Sequence, residues 1–192
     1  MERYKRDAAI LISNEGVLII MLKEKIQEYW LNLQQEFNHN YELKFMTYYE
    51  FNKEFEPDWT EEECFDAAFD HREERGLVYR KICYIPMETL RFYSEVANAE
   101  LDVILECYQL DLRHELGHCM DEIGLDAESR YQYQQYNHYF TGNYEFFNQI
   151  PREKRANKLG RVNVEMYEKL EKYLNDKWPL RSISKEIWRQ YL

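Results

Sequence analysis

Two histidines and a glutamate lie within the segment His114-Glu115-Leu116-Gly117-His118, which fits the pattern HExxH. On a helix, residues four positions apart share one face, so the two imidazoles can bind one zinc ion. Glu115 would lie beside that face, where its carboxylate can accept a proton from an attacking water and deliver it to a leaving amine. The motif therefore predicts a zinc-dependent hydrolase, with His114 and His118 as metal ligands and Glu115 as general base.

The variable positions of the motif also carry information. Glycine in the middle of a helix costs about 1 kcal/mol relative to alanine. Gly117 therefore indicates that another backbone packs closely against the helix at this point. Leu116 can point into the core.

A catalytic zinc ion usually has three protein ligands, so one ligand is missing from the motif. The metzincin pattern would need a glycine and a histidine where this chain has Asp121 and Gly124, which excludes that class. Glu153 is the first candidate, because it lies near the start of a later predicted helix that could cross the first. Ala156, one turn further on, would allow the two helices to approach closely. Asn157 could orient either Glu153 or a zinc-binding histidine from behind.

Three other side chains remain alternatives for the third ligand: Glu128, His138 and Glu145. His138, a tyrosine or an arginine could instead stabilise the oxyanion that forms during hydrolysis. The many tyrosines between residues 131 and 144 are more typical of packing than of chemistry.

The candidate ligands fall in segments with clear secondary-structure signals. Residues 97–123 have a broad apolar face at helical spacing and contain the HExxH motif. Residues 77–85 read LVYRKICYI between a glycine and a proline, which predicts a strand. A proline in the first turn and acidic–basic pairs four residues apart predict a long helix over residues 151–175, with Glu153 near its start.

The remaining elements are predicted from periodicity and caps. They are a helix over residues 16–37, a strand over residues 41–51, a helix from the capping-box pair Thr60 and Glu63 to Gly76, a helix or ordered loop over residues 129–147, and a short helix after Pro179. Together they predict an α+β fold, rich in helix, with a small mixed sheet packed on the HExxH helix.

Composition limits the classes of partner. The chain has 192 residues, 45% hydrophobic and 32% charged, which is typical of one globular domain. Its formal net charge of −11 repels phosphates, so non-specific binding to nucleic acid is not expected.

The apolar run at residues 17–22 is much shorter than the roughly 20 residues of a membrane helix, and no signal-peptide cleavage site follows it. We therefore expect a cytoplasmic protein without a membrane span.

The four cysteines do not form a CxxC pair, and their spacing does not fit a thiolate zinc site. In a reducing compartment they are expected to be free thiols packed as small apolar side chains. They are Cys64, Cys83, Cys107 and Cys119.

The combination of HELGH at residues 114–118 with ExxAN at residues 153–157 resembles the gluzin-type zincins. Within that group it is most similar to the small ImmA/IrrE-like metallopeptidases of bacteria and mobile elements. The resemblance covers about residues 77–175. It implies a zincin-like fold with zinc held by His114, His118 and Glu153, with Glu115 as base. It also implies cleavage of a protein substrate, often a transcriptional repressor.

The sequence thus predicts a single zincin-like domain over residues 1–192, with a catalytic core at residues 77–175. Residues 1–76 form an N-terminal part, helical with a strand, whose role is not indicated. The strand near residues 78–85 is the candidate edge that receives an extended peptide substrate by strand addition. The predicted activity is that of an intracellular peptidase that uses water activated by zinc.

Two other interpretations are compatible with the same residues. The chain could be a non-enzymatic acidic interaction protein with a zincin-like fold, encoded by a phage or plasmid, that binds a host protein or mimics DNA. Alternatively, zinc could be bound in a closed structural site with four protein ligands.

Overall fold

A computed structural model describes residues 2–96, 100–140 and 143–192 of the protein. The helices of the described residues are α1 (Glu2–Phe37), α2 (Tyr48–Phe55), α3 (Glu61–Asp70), α4 (Met87–Val96), α5 (Leu101–Met120), α6 (Ala127–Gln135), α7 (Tyr144–Phe147), α8 (Pro151–Leu159), α9 (Val164–Lys177) and α10 (Lys185–Trp188). The strands are β1 (Leu43–Met46), β2 (Leu77–Tyr79) and β3 (Ile82–Pro86). A π-helical turn spans Tyr136–Phe140, and 3₁₀ turns span Leu180–Ser182 and Arg189–Tyr191. The predicted helix-rich α+β class with a small sheet is confirmed.

The sheet is mixed and has β3 at its centre. Its strand order is β1-β3-β2, with β1 parallel and β2 antiparallel to β3. Cys83 and Ile85 of β3 are fully buried, as expected for a central strand that is covered. Helix α5 packs against β2 and β3, so the sheet lies on the helix that carries the HExxH motif, as predicted. Strand β2 is at the edge of the sheet and is half-buried.

The prediction of one strand over residues 77–85 was wrong, because the segment is a hairpin. Arg80 and Lys81 connect its two strands with φ angles of 51° and 63°. Positive φ at both central residues is the conformation that two-residue hairpin turns favour, because it matches the twist of the strands. The substrate-receiving edge proposed for residues 78–85 therefore corresponds to β2 alone, since β3 is paired on both sides.

Three further elements of the first half of the chain differ from the prediction in their bounds. Residues 41–51 form a strand only at β1, because Thr47 and Glu50 make a capping box that starts α2. The capping box of Thr60 and Glu63 is confirmed, but α3 ends at Asp70 and not at Gly76. Helix α1 begins at Glu2, well before the predicted residue 16.

The second half of the chain contains more breaks than its periodicity indicated. The helix predicted over residues 151–175 is two helices, because α8 ends at Gly160 and Arg161 takes a φ of 54°. Asn163 then caps α9 by accepting from the backbone N–H of Met166. The helix predicted over residues 97–123 is observed as α5, and residues 97–99 lie outside the described residues. After Pro179 the chain forms a 3₁₀ turn before the short helix α10.

The core is built from α1, α4, α5, the sheet and the C-terminal turns. Helix α1 contributes Leu22, Ile26, Trp30 and Leu33, each at most 2% exposed. Its buried stripe packs against α4 and α5, so the N-terminal part supports the helix that carries the candidate ligands. The four cysteines are free and buried, as predicted. In the part of the chain that the structure describes, no helix has both the length and the apolar character needed to cross a membrane.

Candidate metal centre

Helices α5 and α8 are in backbone contact, and two glycines make this possible. A Cβ atom added to Gly117 would lie 2.0 Å from the carbonyl oxygen of Ala156, and one added to Gly160 would lie 1.8 Å from that of Arg113. Both distances are far inside van der Waals contact, so neither position has room for a side chain. The close packing inferred from Gly117 is confirmed, and it brings the first turn of α8 next to the HExxH motif.

His114, His118 and Glu153 come together at this crossing. Oε2 of Glu153 lies 2.8 Å from Nε2 of His114 and 3.3 Å from Nε2 of His118. The two Nε2 atoms are 3.1 Å apart. These side chains form a group whose ligand atoms could hold one metal ion.

The spacing and chemistry of these three atoms suit a shared metal ion better than direct contact between them. Nε2 of a neutral histidine and a carboxylate oxygen both carry lone pairs, so three such atoms repel unless a proton or a cation lies among them. Three ligands about 2.0–2.1 Å from a tetrahedral zinc ion lie about 3.3 Å apart, close to the observed 2.8–3.3 Å. Oε2 of Glu153 is buried and faces both histidine nitrogens, which is the arrangement expected for an atom that would share an ion with them.

A chain of amides supports His114 from behind. Its Nδ1 lies 2.8 Å from Oδ1 of Asn157, which can only accept, so a neutral His114 carries its proton on Nδ1 and leaves a lone pair on Nε2. Asn157 donates in turn to Asn148, which donates to the half-buried Glu168. Both asparagines are buried. This arrangement fixes the imidazole plane and the tautomer that metal binding through Nε2 requires.

Glu153 has a support of its own. The hydroxyl of Tyr133, from α6, donates to Oε1 of Glu153, while Oε2 faces the histidines. The two carboxylate oxygens therefore have different environments, and Glu153 is set to bind an ion through Oε2 only. The first turn of α8 is also tied to α6, because the backbone N–H of Arg152 donates to the hydroxyl of Ser129.

The ionisation of the three candidate ligands reflects their proximity. Burial lowers the pKa of His114, but the hydrogen bond and charge of Glu153 outweigh it and raise the pKa overall. Burial raises the pKa of Glu153, and its bonds to both histidines outweigh that effect and lower it well below 4.5. Burial, followed by the charge of His114, keeps the pKa of His118 below its ordinary value. In the absence of an ion, His114 is therefore protonated, and its positive charge balances the negative charge of the Glu153 carboxylate.

Glu115 points into a cavity of about 400 Å³ that also exposes the three candidate ligands. Burial raises its pKa to about 8, with the charge of His114 opposing and that of Glu153 adding to the shift. Gly76, at the entry to β2, gives this side chain space, because a Cβ there would lie 2.9 Å from Cγ of Glu115. The cavity is therefore bounded by α5 on one side and by the start of the edge strand on another.

A buried charge cluster forms another part of the cavity wall. Nε of Arg75 donates to Asp111 over 2.6 Å, and Nη2 pairs with Glu171 of α9. Tyr167 donates to Oδ1 of Asp111 over 2.6 Å. Asp111 lies three residues before His114 on α5, so this cluster ties α5, α9 and the segment that leads into β2 together at the site.

The alternative third ligands lie elsewhere. Glu128 is exposed in the first turn of α6 and accepts a hydrogen bond from Gln132. His138 is exposed in the π-helical turn, and Glu145 is exposed on α7. The structure places these three outside the cluster of His114, His118 and Glu153.

Sequence reasoning did not single out Tyr133, Asn148 or the pair of Arg75 and Asp111. Tyr133 was one of many tyrosines in its segment, and only the fold distinguishes it. The buried charge cluster joins segments that are far apart in the sequence, so the spacing of its charges gives no signal for it.

The chain matches no known protein family, no curated protein and no solved structure in three separate comparisons.

Proposed function

We propose that this protein is a zinc-dependent hydrolase that cleaves peptide bonds. The observation that carries the proposal is the convergence of His114 Nε2, His118 Nε2 and Glu153 Oε2 beside Glu115 in one cavity. Bound there, zinc would polarise the scissile carbonyl and make water nucleophilic near neutral pH. The donor set of two imidazoles and one carboxylate is one that catalytic zinc sites use.

Glu115 is suited to move the proton. Its side chain lines the cavity next to the ligand pair and forms no ion pair with another described side chain. Burial raises its pKa, and a cation held by the ligand pair would oppose that shift and keep the carboxylate ionised, so that it can accept a proton from the attacking water. It would take the proton of that water on a carboxylate oxygen and deliver it to the nitrogen of the leaving amine. Asn157 and Tyr133 hold His114 and Glu153 in place during these steps.

The edge strand β2 supports a peptide as the substrate. Leu77 and Val78 line the cavity, and within the described sheet β2 pairs with β3 on one side and with no strand on the other. An extended peptide that added to this edge would be held by main-chain hydrogen bonds, with one peptide bond near the candidate ligands. Close packing of Gly76 against Glu115 fixes the distance between strand and base.

The cavity also favours a catalytic over a structural ion. Structural zinc sites are closed by four protein ligands, whereas catalytic sites leave one position open. The candidate cluster in the described residues has three members, and each lines the cavity. The open side of the site thus faces the space that a substrate would occupy.

Metal analysis combined with two variants tests the proposal. We expect one zinc per purified chain, loss of zinc in Glu153→Ala, and full zinc content in Glu115→Gln. Cleavage of a fluorogenic peptide library should fall about 10²–10⁴-fold in Glu115→Gln. Glu128→Gln removes the same type of charge from an exposed position and serves as the matched control. Full zinc content in Glu153→Ala, or undiminished cleavage by Glu115→Gln, would refute the mechanism.

A further inference from the structure

Almost all charged side chains around the cavity are paired with another group of the protein. Glu73 pairs with Arg181, and Glu74 lies 2.6 Å from Nδ1 of His71. Arg75 pairs with both carboxylates of the buried charge cluster. The candidate metal ligands interact with one another, as described above. Two charged groups of the lining remain, the proposed base Glu115 and the guanidinium of Arg152.

Arg152 is unusual among the arginines. In the described part of the chain from residue 16 onward, the other arginines have a carboxylate, a carbonyl oxygen or an aromatic ring as partner. Examples are Arg155 with Asp121 and Arg80 with the ring of Tyr79. The side chain of Arg152 makes no such contact with any described residue, although the protein has 36 acidic side chains.

The position of Arg152 indicates a role in the cavity and not that of a solvated surface charge. It is half-buried, lines the same cavity as Glu115, and directly precedes the candidate ligand Glu153 in the first turn of α8. Its backbone is anchored, because its N–H donates to Ser129 over 3.1 Å. The side chain therefore starts from a fixed point beside the site and forms part of the cavity wall.

A guanidinium presents its N–H groups as a planar fork that matches the two oxygens of a carboxylate. We propose that Arg152 forms a subsite for a carboxylate of the substrate peptide, beside the bond to be cleaved. The inference rests on the proposed peptidase function of the same cavity. The carboxylate could belong to an aspartate or glutamate side chain or to the C-terminus of the peptide, and the experiment separates these sources.

Peptide binding tests the subsite without relying on turnover. Zinc-loaded Glu115→Gln protein is titrated with fluorescein-labelled pools of short random peptides, with either glutamate or glutamine fixed at each position in turn. A parallel set compares free with amidated C-termini. We expect one carboxylate-bearing set to bind about 10–100-fold more tightly than its neutral counterpart, because hydrogen bonds to charged groups contribute that much to affinity.

The variants are then introduced into the same background. Arg152→Gln should remove the preference while zinc content is unchanged, and Arg152→Lys should restore only part of it because a lysine lacks the fork. Lys154→Gln is the matched control, since Lys154 lies two residues away, is exposed, and faces a different cleft. It should keep the full preference.

Failure of the subsite and failure of the proposed function give different results. Equal binding of all pools, no binding at all, or a preference that survives Arg152→Gln would overturn the subsite, even if the wild-type protein cleaves peptides. The same holds if Arg152→Gln, introduced into the otherwise wild-type protein, slows cleavage of every peptide by one factor without changing selectivity. A carboxylate preference that depends on Arg152, with no cleavage by the wild-type protein, would support the subsite and contradict the peptidase.

Discussion

Because α5 and α8 are in backbone contact, the addition of a single methyl group at Gly117 should have a large effect on zinc affinity and stability. In Gly117→Ala the new methyl group would lie 2.0 Å from the carbonyl oxygen of Ala156. This neighbour is helical backbone, so it cannot rotate away. Relief requires α8 to retreat by about 1 Å or more before the contact reaches even the closest spacing that Cβ atoms show.

That retreat works directly against metal binding. Glu153 lies on α8, and its Oε2 is now 2.8 Å from Nε2 of His114. A shift of about 1 Å brings this distance close to 4 Å, beyond the roughly 3.3 Å between two ligands of one tetrahedral zinc ion. Removal of a supporting residue typically weakens metal binding about 10–100-fold, and displacement of a ligand itself should cost at least the upper value.

Gly117→Ala should lower the free energy of unfolding, although the higher helix propensity of alanine would by itself raise it. Alanine is favoured over glycine in a helix by about 1 kcal/mol, but overpacking costs about 1–3 kcal/mol. The matched control is Gly16→Ala on α1, where an added Cβ has nothing within 4 Å. We expect Gly16→Ala to stabilise the protein slightly and Gly117→Ala to destabilise it in urea unfolding.

Zinc affinity is measured by competition with a chromogenic chelator at one pH, on both variants and the wild-type protein. Gly16→Ala should bind zinc as the wild type does. If Gly117→Ala bound zinc within threefold of wild type and unfolded at the same urea concentration, the inferred coupling between the helix crossing and the metal site would be wrong.

Three further predictions concern the surroundings of the site. Arg75→Ala leaves two buried carboxylates without a counterion and should lower the free energy of unfolding by about 3–5 kcal/mol, whereas Lys169→Ala in an exposed pair should cost less than about 1 kcal/mol in the same urea titration. Tyr133→Phe removes the hydroxyl that donates to the ligand carboxylate, so zinc affinity in the chelator assay should fall about 10–100-fold without loss of fold by circular dichroism. The hydrogen bond with Glu74 raises the pKa of His71 above 6.5, so this pair stabilises the fold below that value and the contribution is lost as pH rises through the raised pKa. Glu74→Gln should therefore flatten the pH dependence of stability above pH 6.5, and an unchanged slope would contradict this assignment.

The parts of the site that depend on local sequence were predictable. HExxH places two histidines on one face of any helix, and residues 97–123 had the periodicity of a helix. Glu153 was favoured because it opens a helix with a small residue one turn later. The geometry places it next to the histidines, and its role as a ligand stays a prediction.

The parts that depend on pairing between distant segments were not predictable. Arg75 meets Asp111 and Glu171 only because the fold brings three separate segments together, and nothing in the spacing of these charges selects them. The Arg80-Lys81 turn was hidden because both residues adopt positive φ without the asparagine or glycine that usually marks such a turn.

One missed boundary had a signal. Thr47 and Glu50 have the spacing of a capping box, but they lie in an aromatic run that also fits a strand. The helix break at Gly160 is a different case, since a single glycine is tolerated inside a helix. The constraint at Gly160 is steric, because a side chain there would collide with the carbonyl oxygen of Arg113 on α5, and the sequence alone does not show that contact.

The candidate ligands His118 and Glu153 lie on two different helices and are separated in the chain by residues 119–152. An ion shared between His118 and Glu153 would close that segment into a loop and remove conformational freedom from the unfolded chain, as a cross-link does. Its binding free energy would then be part of the folding free energy. A chelator would act on this protein as a selective denaturant, exposing α6 to proteases while the buried stripe of α1 stays packed.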